Sequence, residues 1–210
     1  MLRESSLRVA LKGVAMMRAA TQFLLALSLV VIAPISQATL FTFTEMLSGT
    51  QEVPPNASPG TGSATITLNT VANTLHVVVS FSGLVGTTTA SHIHCCTALP
   101  GVGNAGVATT TPTFTGFPLG VTSGTYDNVL DLTLASSYNP AFVTAEGSLA
   151  GAEAALIAGM VAGDTYINIH TTVVPGGEIR GFLPRAVPEP ASIALLGLGL
   201  AALGFSRRKH

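Results

Sequence analysis

Lysine is missing from the whole stretch between Thr39 and Ala186. That stretch holds two basic residues, Arg180 and Arg185, against eight acidic ones, a formal charge of −6. This argues against a nucleic-acid partner, because neutralising a phosphate backbone needs clustered Lys and Arg. Cysteine is equally scarce: the chain of 210 residues has two, Cys95 and Cys96, and they are adjacent. An even count requires no bridge from an odd thiol to a second molecule. No nucleophile triad is visible, and the glycines of "PGVGNAG" (100–106) precede no helix that would hold phosphate. Glu178 has no evident carboxylate partner for acid–base chemistry. These absences favour a binding or structural role over an enzymatic one.

What is present is concentrated first at the ends, which carry seven of the nine basic residues. Arg18 precedes "AATQFLLALSLVVIAPISQA", an apolar run closed by Ser36-Gln37-Ala38. A basic start, an apolar middle and a small-x-small end read as a secretory signal over 1–38, with Met16 or Met17 as the true start. An uncleaved anchor is the competing reading, and the Pro34 break and small-residue site favour cleavage. At the other end, "VPEPASIALLGLGLAALGFSRRKH" contains Pro188-Glu189-Pro190, an uncharged run of 17 residues from Pro190 to Ser206, and Arg207-Arg208-Lys209. Seventeen apolar residues are the short limit for a transmembrane helix, and the basic end would stay in the cytoplasm. Motif, span and basic end together resemble the PEP-CTERM sorting tail, over 187–210. The resemblance implies an exosortase as processing partner, cleavage near Pro188-Glu189-Pro190, and a Gram-negative bacterium with an extracellular polysaccharide matrix. It also implies passage across the inner membrane, transient anchoring through the C-terminal helix, and release to the cell surface or matrix.

Residues 39–186 make one ordinary domain, long enough to bury a core. "TGSATITLN" (61–69) alternates around Ala64, Ile66 and Leu68. "TLHVVVSFSGL" (74–84) puts Leu75, Val77, Val79 and Phe81 on one face. "SHIHC" (91–95), "TYDNVLDLT" (125–133), "TYINIHTTV" (165–173) and "EIRGFL" (178–183) read as further strands. Period-2 segments between Gly, Pro and Asn turns predict an all-β, antiparallel sandwich or barrel. "AGAEAALIAGMVAGD" (150–164) predicts one short helix over 152–162, weakened by Gly159 and stopped by Gly163. "TTTPTFTGFPLGVTSG" (109–124) reads as a long loop. The full arrangement expected is this β domain flanked by a signal helix and a C-terminal transmembrane helix.

His92 and His94 share a strand face, with Cα atoms roughly 6.6 Å apart. Imidazoles so placed can converge on one copper or zinc ion, and His170, late in another strand, is the candidate third ligand. The bland alternative is that strand histidines only hydrogen-bond locally. "LSGTQEVPP" (47–55), "GSATITL" (62–68), "FSGLVG" (81–86), "SHIH" (91–94) and "YINIHTTVVPGGEIRGFL" (166–183) occur in the order seen in the CHRD domain, which this chain resembles from Phe41 to Leu183. The resemblance implies an all-β, sandwich-like fold and little defined chemistry. A looser similarity, to copper–zinc superoxide dismutase, pairs an H-x-H strand, a later histidine and a late arginine. It implies His92, His94 and His170 as copper ligands and Arg180 as the anion guide. The departures are the absence of a bridging histidine, of a second ligand set, and of positive domain charge.

Cys95 and Cys96 stand where the CHRD pattern has glycine and proline. If the strand continues, Cys96 shares the face of His92 and His94 and can offer a thiolate to copper(I) or zinc. Export favours oxidation to a disulfide between chain neighbours that rigidifies the turn. In "PGGEIRG", Gly176 and Gly177 suit a tight hairpin. Glu178 and Arg180 lie two apart, which predicts a surface or edge ion pair to neighbouring strands. "EVPPN" reads as a strand end held extended by proline. Two functions follow: an exported surface or matrix protein that binds polysaccharide or a matrix protein, or an exported copper or zinc protein, with redox activity as its extreme.

Overall fold

The computed structural model describes residues 40–186. Seven strands, Leu40–Ser48 (β1), Thr61–Asn69 (β2), Thr74–Ser82 (β3), Thr88–His94 (β4), Gly124–Asp131 (β5), Tyr166–Thr171 (β6) and Ile179–Phe182 (β7), form one sheet in the order β4-β6-β7-β1-β2-β3-β5. Every neighbouring pair is antiparallel. The sheet curls into a half-barrel, so the expected all-β architecture is built from a single sheet. The expected signal segment, sorting motif Pro188-Glu189-Pro190 and C-terminal span lie outside the described residues. Among the described residues, no helix is long and apolar enough to cross a membrane.

Alternation sets the inner face. Ala64, Ile66 and Leu68 of β2 and Leu75, Val77, Val79 and Phe81 of β3 are buried side by side. Each of these side chains larger than alanine contributes about 1.5–3 kcal/mol by leaving water. β1 is a strand that the pattern left unmarked. Glu45 occupies an inward slot between Phe43 and Leu47, so the apolar rhythm is interrupted. Pairing rescues it: β1 meets β2 in unbroken register from Leu40↔Asn69 to Ser48↔Thr61. The strand then stops at Ser48, and a 3-10 turn over Gly49–Gln51 precedes "EVPPN", which the sequence had placed at a strand end.

Two helices close the core. Pro140–Ala145 (α1) is short, with Asn139 as N-cap accepting from the Ala141 amide, a start signal that the strand-rich pattern obscured. Leu149–Ala162 (α2) begins three residues before its expected start, because the Ser148 hydroxyl accepts from the Gly151 amide. It ends where Gly163 turns left-handed at φ 84°. Ala152, Leu156 and Met160, four apart, bury one stripe against the sheet. The segment expected to be a loop over 109–124 is irregular up to Gly124, where β5 begins, and Phe114 and Phe117 pack into the core from it.

The functional consequence lies at the β4–β6–β7 end. Ile93, Ile167, Ile169 and Ile179 point to the core. By the two-residue period, His92, His94, Tyr166, Asn168, His170 and Arg180 occupy the other face. Surface segments cover that face. The Asn104 amide donates to the Val53 carbonyl, and the Asn56 amide donates to the carbonyls of Gly177 and Glu178.

Candidate metal site

β4 places His92 and His94 two residues apart, and β6 places His170 diagonally from His92, since His92 stands opposite Asn168. The ring centres of His92 and His94 are 5.8 Å apart, of His92 and His170 5.1 Å, and of His94 and His170 6.1 Å. One ligating nitrogen from each lies within 4.8 Å of the others. Zinc–nitrogen bonds of about 2.0–2.1 Å limit nitrogens on one ion to roughly 4 Å apart, so ring rotations of about an ångström would close the site.

Each ring is held from behind by a backbone carbonyl. The Nε2 of His92 donates to the Pro112 carbonyl at 2.6 Å, and the Nδ1 of His170 donates to the Pro175 carbonyl at 2.8 Å. A carbonyl only accepts, so the proton sits on these nitrogens. The remaining nitrogens, His92 Nδ1 and His170 Nε2, are buried lone pairs with no partner. His94 is caught between two oxygens: the Ala105 carbonyl 2.9 Å from Nδ1 and the Asn168 Oδ1 3.1 Å from Nε2. A neutral imidazole carries one N–H, so one of these oxygens faces a lone pair.

The electrostatics favour the neutral, ligating form. Burial pushes His94 down to about 4, and the neighbouring His92 and His170 add to the effect, against the opposing Ala105 carbonyl. Burial likewise lowers His92, with His170 assisting. It lowers His170 too, with the Arg180 cation assisting. At neutral pH all three rings are therefore uncharged.

The cysteines turn away from this cluster. β4 ends at His94, so the continued strand that would align Cys96 with the histidines does not form. Cys95 and Cys96 are joined as a disulfide. Both sulfurs lie against α2 at the Ala155 carbonyl, 3.8 and 3.7 Å away. Among the described residues, the group whose ligand atoms could hold a metal ion is His92, His94 and His170, without a thiolate.

Glu178 and Arg180 are buried, which corrects the surface or edge pair expected of them. They serve separate networks. Arg180 Nε donates to Glu52 Oε2 at 2.6 Å, Nη1 to the Gly103 carbonyl at 3.0 Å, and Nη2 to Asn104 Oδ1 at 2.8 Å. With every nitrogen engaged and the residue 2% exposed, it cannot meet a diffusing anion as the dismutase similarity implied. Glu178 accepts from Ser58, Thr171 and the amides of Val85 and Gly86. The expected Pro-Gly-Gly turn is present: the Gly177 amide donates to the Val174 carbonyl, with Gly177 at φ 127°.

Sequence reading missed Glu52, Asn104, Tyr166 and Asn168. Asn168 was legible in principle, being two residues before His170 on the same strand face. The carbonyls of Ala105, Pro112 and Pro175 carry no side-chain signal at all.

Comparison with known proteins adds the following. A family model of the CHRD domain matches residues 43–183, and a model of the PEP-CTERM protein-sorting motif matches residues 186–209. No curated protein and no solved structure matches the chain.

Proposed function

Because the chain belongs to the CHRD domain family and carries a PEP-CTERM sorting motif, we propose that it is an exported cell-surface protein whose β domain holds one copper or zinc ion on His92, His94 and His170. The sorting motif marks the chain for export and exosortase processing. In this reading the signal over 1–38 is removed, the C-terminal span anchors the chain transiently, and cleavage near Pro188-Glu189-Pro190 delivers residues 39–186 to the surface or its matrix.

One observation carries the metal assignment. Three neutral imidazoles bring one nitrogen each to within 4.8 Å of the others, and two of the rings, His92 and His170, carry a buried nitrogen with no protein partner. Leaving a buried polar atom unpaired costs about 1–3 kcal/mol, so two together need a reason. A cation would take up both lone pairs and relieve the clash of oxygen and lone pair at His94. The carbonyl behind each ring is the outer support that metal-bound histidines usually have. All-nitrogen donors suit copper or zinc.

The test is metal content. The full chain is produced by oxidising export, purified in detergent and stripped, then incubated with copper and zinc separately and desalted. Elemental analysis should find one ion per chain in the wild type and none in His92→Ala or His170→Ala. A wild type that retains no metal overturns the assignment. The remaining ground would then be the hydroxyl-lined outer face of β1, β2 and β3, where Thr42 meets Thr67 and Ser63 meets Ser80, as a contact for matrix polysaccharide or protein.

A further inference from the structure

We propose that Arg180 is a positioning residue for the three-histidine site, acting on His94 through the 97–106 segment and through the ring of Tyr166. The inference rests on the metal reading for its purpose and on geometry for its content. Arg180 grips two consecutive residues of that segment, the Gly103 carbonyl and the Asn104 side chain. The next residue, Ala105, gives its carbonyl to His94 Nδ1. The guanidinium carbon lies over the Tyr166 ring, 4.2 Å from its centre, and that ring stacks on His94 at 4.5 Å with planes 8° apart. The Tyr166 hydroxyl ties the two routes together, donating to the Ala105 carbonyl at 3.2 Å and accepting from its amide at 3.3 Å. Glu52 sets the guanidinium by taking its Nε proton at 2.6 Å.

The result is a closed circuit. One planar cation fixes both the carbonyl that selects the His94 tautomer and the ring that fixes its plane. Only arginine offers in-plane donors on several sides together with a stacking face; lysine is a point charge on a flexible stem. A buried ion pair is a weak source of net stability, whereas this one leaves both terminal guanidinium nitrogens free to hold the segment that supports a single ring. It also gives one task to the two sequence blocks "LSGTQEVPP" and "PGGEIRG", which otherwise lie far apart in the chain.

Removing one charge alone would strand the other, so the test variant is Glu52→Gln/Arg180→Met in the full chain. Copper(II) affinity and the number of nitrogens seen by electron paramagnetic resonance are measured beside near-ultraviolet circular dichroism as a folding check. Metal-free ¹⁵N NMR reads the His94 tautomer. The expected result is a folded variant with copper affinity lower by about 10–100-fold, fewer coordinated nitrogens, and a His94 proton no longer confined to Nδ1. In a His94→Ala background the same pair of changes should cost nothing further. Asn104→Ala, at an exposed position, should shift the tautomer in the same direction, and it serves if the double variant does not fold. Unchanged affinity and tautomer in folded variants would overturn the proposal, as would an equal loss without His94. If the wild type binds no copper, the metal reading falls and the tautomer measurement alone decides the positioning role.

Discussion

His94 and Glu178 respond to acid in the same sense, for different reasons. His94 is held neutral, its pKa pushed by burial from 6.5 to about 4. Between those values the unfolded chain binds a proton that the folded one refuses, so stability falls as pH drops from about 6.5 to 4 and levels off for this group below that. The gap corresponds to about 3 kcal/mol. Burial pushes the Glu178 carboxyl up, but two hydroxyls and two amides outweigh it and hold the group below its ordinary 4.5. Its contribution is complete above that value and is lost on further acidification. Urea unfolding of the metal-free protein should therefore show stability declining from pH 6.5 downward, and His94→Gln should flatten the upper part of that decline. An unchanged slope in His94→Gln would place the titration elsewhere.

At the scale of elements, the contact between α2 and the turn after β4 is unusually close. A Cβ built on Gly159 would lie 2.6 Å from the Cys95 sulfur and still nearer the Cys96 sulfur. Replacing Gly159 by alanine gains helix propensity of up to about 1 kcal/mol. It also forces α2 off the disulfide, and overpacking of this kind costs about 1–3 kcal/mol. Packing wins the comparison, so Gly159→Ala should lower the thermal midpoint although it improves the helix. A rise would show that the turn yields easily. Read along the chain, Gly159 looks like a weak point in a helix; its neighbours explain it as the place where two sulfurs rest.

At the scale of the whole molecule, the site lies between strands and is capped by segments remote in sequence, so an ion held there should stabilise the entire fold. Binding to the native state alone raises stability by RT ln(1 + [L]/Kd), about 2.7 kcal/mol when free metal is about 100 times its dissociation constant. For a domain of this size that is roughly 10 °C. Calorimetry of the full chain with copper or zinc should show this rise, a chelator should reverse it, and His170→Ala should abolish it. The sequence by itself determined the all-β class, six of the strands, the longer helix and the sorting tail, because these follow from local periodicity and short linear motifs. It also marked His92, His94 and His170, because a two-residue strand period places side chains on a shared face. Only the tertiary structure decided the partners of those residues. Arg180 meets Glu52, not Glu178, because β7 lies beside β1 and the Glu52 turn follows directly after it. The cysteines leave the histidines because β4 ends at His94 and α2 lies beneath the turn. The Ala105 carbonyl that meets His94 is a backbone atom that any residue could supply, and what identifies it as a partner is its place in space.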